Sequence, residues 1–215
     1  MVTRGALVAD AHALQVLRPL LGSHYLPFSE ASMRPAALVV IANDVVLHDR
    51  RCVVECGSGL STLVLARVLA EQGGHLVTLE HDPAWAHVVG RLLRREGLED
   101  VVTLVQAALR PGPAGALDWY DVDVMAGVMS GRACDLLVVD GPPAHAEGRG
   151  LARLPAVPVL RRWFAPSCTV VLDDADREGE RAVVREWERQ TGVSFTLRGN
   201  EGVALGHFGD APFSI

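Results

Sequence analysis

The chain has 215 residues, of which 49% are apolar and 21% charged, and a formal net charge of −6. This is the mix of a globular chain long enough to bury one core without disulfide or metal staples. The acidic balance and only 11 aromatics (four Trp, two Tyr, five Phe) argue against a nucleic-acid surface, and no uncharged apolar run approaches the ~18 residues of a membrane span.

Other exclusions are chemical. The cysteines at 52, 56, 134 and 168 match neither a disulfide framework nor zinc spacing, and read as small buried hydrophobes. All 20 basic residues are arginine, so no lysine is available as a general base or Schiff base. The first ten residues lack the apolar stretch of a secretory signal, and a cytoplasmic protein is expected.

Taken in chain order, Ala6–Leu21 and Pro35–His48 read as amphipathic or buried helices. They form a helical extension over residues 1–50, part of the same domain as a core at 51–215. The link Gly22–Arg34 between them is rich in turn formers and in groups able to touch a ligand. Strands are expected at Cys52–Glu55, His75–Glu80, Val101–Val105, Asp135–Asp140, Cys168–Asp173, Val193–Arg198 and Gly202–Gly206. The early ones are near-continuous apolar runs, as in parallel strands buried on both faces. Helices are expected at Leu63–Glu71 with Ser61 or Thr62 as N-cap, at Pro83–Glu96, and at Arg177–Gln190. Alternating β and α elements imply a parallel sheet with helices on both faces. The last two strands are separated only by Gly199, Asn200 and Glu201, too few residues for a crossover helix, so they form an antiparallel hairpin.

Four motifs carry chemistry. In Val53-Val-Glu-Cys-Gly-Ser-Gly-Leu-Ser-Thr62 a strand ends in an acid, and glycines turn into a helix whose N-terminus offers N–H groups to an anion. A dinucleotide fingerprint wants a third glycine where Thr62 stands. Glu80 ends the next strand, where a carboxylate accepts ribose hydroxyls; Asp82 reads as the N-cap of the following helix. Asp140 is delivered to the carboxyl edge of the sheet at the expected switch point. Asp173 and Asp174 end the fifth strand. With Asp140 they make three oxygen ligands suited to Mg²⁺, unless Asp174 or Asp176 caps the next helix or pairs with Arg177.

Together the runs Glu55–Thr62, Leu79–Asp82, Val139–Pro142 and Leu172–Arg177 resemble class I S-adenosylmethionine-dependent methyltransferases, closest to the small-molecule O-methyltransferase-like branch called methyltransferase family 24. The resemblance implies a Rossmann-like α/β fold, with a seven-stranded sheet of order 3-2-1-4-5-7-6 and the seventh strand antiparallel. It places Glu55, Gly57, Gly59 and Ser61 at the methionine end of the cofactor, Glu80 at the ribose, Ala107 and Ala108 near adenine, and Asp140 beside the cofactor. Asp140, Asp173 and Asp174 match the metal ligands of catechol-type enzymes. Those enzymes carry a lysine base just after the first ligand; here His145 is the candidate base, with Asp140 beside it. Tyr25, Phe28, Trp119 and Tyr120 are the expected acceptor pocket.

The expected activity is methyl transfer to a hydroxyl of a small molecule, with S-adenosylmethionine and Mg²⁺ as candidate cofactors. A metal-independent N- or C-methyltransferase and a non-catalytic cofactor-binding protein are the alternatives. An NAD-dependent oxidoreductase is disfavoured by Thr62 and the terminal hairpin. No nucleic-acid or membrane partner is expected; a homodimer is compatible.

Overall fold

A computed structural model describes residues 3–22, 24–26, 28–111, 117–121, 123–146 and 148–210. Ser23 and Pro27 of the expected ligand-touching link lie outside the described residues. The main sheet contains β1 (Cys52–Cys56), β2 (His75–Glu80), β3 (Val102–Gln106), β6 (Cys134–Val139), β7 (Phe164–Leu172), β8 (Phe195–Arg198) and β9 (Val203–Phe208). A separate two-stranded ribbon pairs β4 (Leu109–Arg110) with β5 (Trp119–Tyr120). The order of the seven strands is β3-β2-β1-β6-β7-β9-β8. Counting main-sheet strands alone, this is the expected 3-2-1-4-5-7-6. The first five run parallel; β9 is antiparallel to both β7 and β8. Four residues, 199–202, join β8 to β9, one more than expected because β9 starts at Val203, and β9 lies between β7 and β8.

Strand alternation divides the core. Val53, Leu76, Leu136, Val138 and Val171 face one layer, together with residues of α3 (Pro35–Leu47), α4 (Leu60–Gln72) and α5 (Pro83–Glu96). Val54, Val77, Leu79, Leu137, Val139, Val170 and Leu172 face the other. There they meet Val183, Val184 and Trp187 of α8 (Glu178–Thr191) and Met125 of α6 (Asp123–Val128). Side chains two apart share a face, so the apolar runs feed both layers.

The first expected helix is split into α1 (Arg4–Val16) and α2 (Arg18–Leu21). Pro19 has no N–H to continue the ladder. α1 is tied to the start of α3 by Arg34, whose Nη2 lies 2.9 Å from Asp10. Farther along, Arg50 Nε donates to Asp44 at 2.8 Å and its Nη2 to Thr169 Oγ1 at 2.5 Å, fastening the end of α3 to β7. The short α7 (Ala156–Leu160) precedes β7. No helix among the described residues is long and apolar enough to cross a membrane.

The start of α4 corrects the expected cap. Gly59, not Ser61 or Thr62, is the N-cap, and both hydroxyl residues lie in the first turn. The reason is local: Thr62 Oγ1 reaches back and accepts from Gly59 N–H at 2.8 Å, satisfying a backbone donor from inside the helix. Asp82 caps α5 as expected, accepting from Ala84 N and Trp85 N at 2.8 and 3.2 Å.

Candidate active site

β1 has β2 on one side and β6 on the other, so the chain leaves its carboxyl end in opposite directions and opens a crevice there. Gly57 adopts φ +88°, and a Cβ on it would lie 3.1 Å from the Asp140 carbonyl and from Gly141 Cα. Only glycine lets the β1 turn pass the β6 turn this closely. Gly59 differs. Its φ of 176° is ordinary extended backbone, and a Cβ there would meet nothing within 4 Å. It lines the cleft with Leu60 and Ser61, whose first-turn N–H groups have no partner within the helix.

The turn is held from below and from the side. Glu55 is fully buried; its Oε2 accepts from Thr62 Oγ1 at 2.6 Å and Thr78 Oγ1 at 2.7 Å, while Oε1 has no partner. Burial pushes its carboxyl up to about 7, against the hydrogen bonds it accepts. Glu80 Oε2 accepts from Ser58 N and Oγ at 3.1 and 2.7 Å. Its other oxygen accepts from Asp82 N at 2.9 Å and lies 3.0 Å from His81 Nδ1. Trp85 Nε1 donates to Ser58 O at 2.8 Å.

The opposite wall is acidic. Asp140 follows β6, and Asp173 and Asp174 follow β7. Asp174 takes φ +59°, a left-handed conformation that aspartate tolerates better than most residues. One carboxylate oxygen from each of the three lies within 4.8 Å of the others. Burial, then Asp174, pushes Asp173 up to about 7; burial, then Asp173, raises Asp140. The whole cleft encloses about 430 Å³ and is lined by Glu30, Glu80, Asp82, Asp140, Asp173 and Asp174 against Arg153 and Arg177. Six carboxyl groups, of which Asp140 and Asp173 are raised toward the protonated form, face two guanidiniums, and the remaining acidic excess favours a cationic ligand.

Arg153 went unnoticed in the sequence. Its side chain is 4% exposed, and its Nη2 donates to Asp140 Oδ1 and Asp174 Oδ2, each at 3.1 Å. Arg177 Nη1 lies 2.7 Å from the same Asp174 oxygen. The spacing of the three acids suits an oxygen-bound divalent ion, but two of them already share a buried guanidinium. The set as arranged does not fit a metal ion.

Of the other expected contacts, Gly57, Gly59, Ser61, Glu80, Tyr120 and His145 line the cleft with Asp140, Asp173 and Asp174. Glu55 lies beneath the turn, outside the cleft lining, and is linked to it through Thr62 and the Ser61 side chain. Ala107 and Ala108 are outside the cleft wall; Ala107 is packed in the core. Three of the four expected acceptor aromatics also miss it. Tyr25 is 80% exposed, Phe28 is half-exposed, and Trp119 is packed in the core beside Met125 and Met129. The expected ligand-touching link does contribute, through Ser29–Met33. His81, inside the Leu79–Asp82 run but given no role there, and Trp85, which no motif contained, also line the cleft; they sit one and five positions past Glu80, within reach of the same strand tip.

The solved structures agree with this architecture. An O-methyltransferase from Streptomyces achromogenes, TomG, crystallised with S-adenosylmethionine, superposes with a TM-score of 0.58 at 20% identity, covering 94% of this chain and 90% of that one. A Podospora anserina methyltransferase bound to S-adenosylhomocysteine gives a TM-score of 0.64 at 12% identity, with 97% and 89% covered. An O-methyltransferase from Bacillus cereus, also with S-adenosylhomocysteine, gives 0.56 at 20% identity, with 93% and 90% covered. No curated protein sequence matches. The profile of methyltransferase family 24, described as a methyltransferase domain, matches residues 54–175, from inside β1 to just past the Asp173–Asp174 pair. The chain belongs to that family, among the class I S-adenosylmethionine-dependent methyltransferases.

Proposed function

We propose that this protein transfers a methyl group from S-adenosylmethionine to a hydroxyl of a small molecule. One observation carries the reading: the glycine turn, Glu80, Asp140 and the Asp173–Asp174 pair, set on four strand tips, line one cavity of about 430 Å³. That size is within the range of small-ligand sites.

The donor set fits this nucleoside. The first-turn N–H groups of α4 suit its carboxylate, and open space at Gly59 leaves room for it. Glu80 accepts hydrogen bonds from the ribose hydroxyls, and the acidic wall suits the ammonium and sulfonium charges. S-adenosylmethionine supplies an activated methyl carbon: the acceptor oxygen bonds to it while the carbon–sulfur electron pair stays on sulfur.

The protein's contribution is mainly orientation, which can supply roughly 7–11 kcal/mol when the reacting atoms are aligned. Asp140 accepts a hydrogen bond from the acceptor hydroxyl and sets its direction. His145, exposed at the cleft mouth, takes the hydroxyl proton. Ser29–Met33, Pro143 and Tyr120 shape the acceptor side.

Calorimetry and product mass spectrometry test this reading. Wild-type protein is expected to bind S-adenosylmethionine in preference to NAD and to methylate members of a phenol and catechol panel on oxygen. Glu80→Gln is expected to lose about tenfold to a hundredfold in cofactor affinity, the worth of hydrogen bonds to a charged group. Unchanged affinity in that variant, or a preference for NAD, would overturn the assignment.

A further inference from the structure

We infer that Arg153 is the built-in cation of the acidic wall, and that this protein performs its methyl transfer without a divalent metal. The consequence for catalysis rests on the methyltransferase reading above; the assignment of Arg153 rests on its own contacts. Three carboxylates within 4.8 Å of one another must share a positive charge or be protonated. In many sites of this composition the charge would be a hard cation. Here it arrives on the chain, from the segment joining β6 to α7.

The contacts of Arg153 suit a guanidinium at this position. Nη1 donates to the Asp173 carbonyl at 3.0 Å, and Nη2 to the Asp140 carbonyl at 3.1 Å, so two bonds go to backbone at the ends of β6 and β7. Nη2 also donates to Asp140 Oδ1 and Asp174 Oδ2, and Nη1 lies 3.6 Å from Glu180 Oε1. One planar group thus spans two strand tips and α8. An ammonium has three donors on one atom and cannot reproduce that spread, whereas a guanidinium carries five in a fixed fork. The side chain is almost wholly buried, which separates it from a casual surface pair.

The same contacts work against a metal. A divalent ion between Asp140 and Asp174 would compete for oxygens that already accept from Arg153, and Asp174 is further engaged by Arg177. It would also sit beside a fixed positive charge in a poorly solvated wall, where repulsion is strong. Arg153 therefore acts as a positioning residue. It fixes Asp140 Oδ1 at the cleft wall and leaves the second carboxyl oxygen of Asp140 to the acceptor.

Electron paramagnetic resonance of Mn²⁺, a paramagnetic stand-in for Mg²⁺, tests this on the full chain. With wild-type protein in excess, the free Mn²⁺ signal is expected to remain, and prior EDTA treatment is expected to leave the methyl-transfer rate unchanged. Arg153→Met, which keeps the volume and removes the charge, is expected to bind Mn²⁺ at least about tenfold more tightly. Arg153→Lys restores the charge and is expected to keep Mn²⁺ out, an outcome that a purely structural role would not produce. Depletion of free Mn²⁺ by wild type that disappears in the Asp140→Asn/Asp174→Asn double variant would overturn the inference, as would loss of turnover in EDTA regained with Mg²⁺. Depletion that survives the double variant lies outside the acidic wall and supports the assignment, since the wall itself then holds no Mn²⁺. Should Arg153→Met not fold, the wild-type and Asp140→Asn/Asp174→Asn measurements decide alone. Absence of S-adenosylmethionine binding would sink the methyltransferase reading, while the Mn²⁺ signal still decides the role of Arg153.

Discussion

Gly57 and Gly59 lie two residues apart in one turn, yet alanine should act on them in opposite ways. At Gly57 the backbone is left-handed, φ +88°, which costs an L-residue roughly 1–2 kcal/mol. The new methyl would also press on the Asp140 carbonyl and Gly141 Cα at 3.1 Å. These are backbone atoms at a strand end that cannot swing away as a side chain does, and overpacking of this kind costs about 1–3 kcal/mol. Loss of glycine's freedom in the unfolded chain offsets about 0.4–1 kcal/mol. The net expectation for Gly57→Ala is destabilisation by about 1–5 kcal/mol, centred near 3. At Gly59 neither penalty exists, because φ is 176° and the Cβ position is open. Gly59→Ala should leave stability unchanged or raise it by up to about 1 kcal/mol. Its methyl, however, occupies space assigned to the cofactor, so affinity for S-adenosylmethionine should fall. Urea denaturation and calorimetry on the two variants separate the terms. A Gly59→Ala protein that binds cofactor as well as wild type would refute the placement of the donor; a Gly57→Ala protein of wild-type stability would refute the close approach of the two turns.

Two further predictions concern buried charge. Burial lifts the Glu55 carboxyl to about 7, from an ordinary value near 4.5. The native state therefore keeps a proton that the unfolded chain releases, and the stability this contributes is full below pH 4.5 and lost as pH rises through about 7. The linkage amounts to about 3 kcal/mol. Glu55→Gln cannot titrate, so its stability should gain on wild type by about that amount as pH is raised across this window, and parallel stability curves would contradict the assignment. Asp44→Ala should cost about 3–5 kcal/mol in chemical denaturation, because it strands the buried Arg50 guanidinium. Much of that loss should return when Arg50 is replaced by Met in the same chain, and a loss below about 1 kcal/mol would show that the pair is not buried as described.

The sequence by itself determined the frame of this protein. Apolar runs at Val53–Val54, Leu76–Val77, Leu136–Val139 and Val170–Leu172 have the signature of strands covered on both faces, and the short connection after Arg198, four residues in the structure, leaves no choice but a hairpin. Acids at the ends of those runs are necessarily at one edge, since parallel strands bring their carboxyl ends together. These signals are local or periodic, so they survive without coordinates. Strand ends were less legible. β7 starts at Phe164, ahead of the β-branched run, and Thr191 Oγ1 accepts from Val193 N to delay β8 until Phe195. Only the tertiary structure decided the rest. It sent Tyr25 to solvent and Trp119 into the core, positions that aromatic character does not distinguish. It left Glu55 under the turn and not in the cleft, because Thr62 reaches back to the cap. Above all it brought Arg153, 13 residues beyond Asp140, back onto the strand tips. A loop arginine has no periodicity to betray its destination; its contacts arise from where the chain folds back, and they decide which charge the acidic wall keeps.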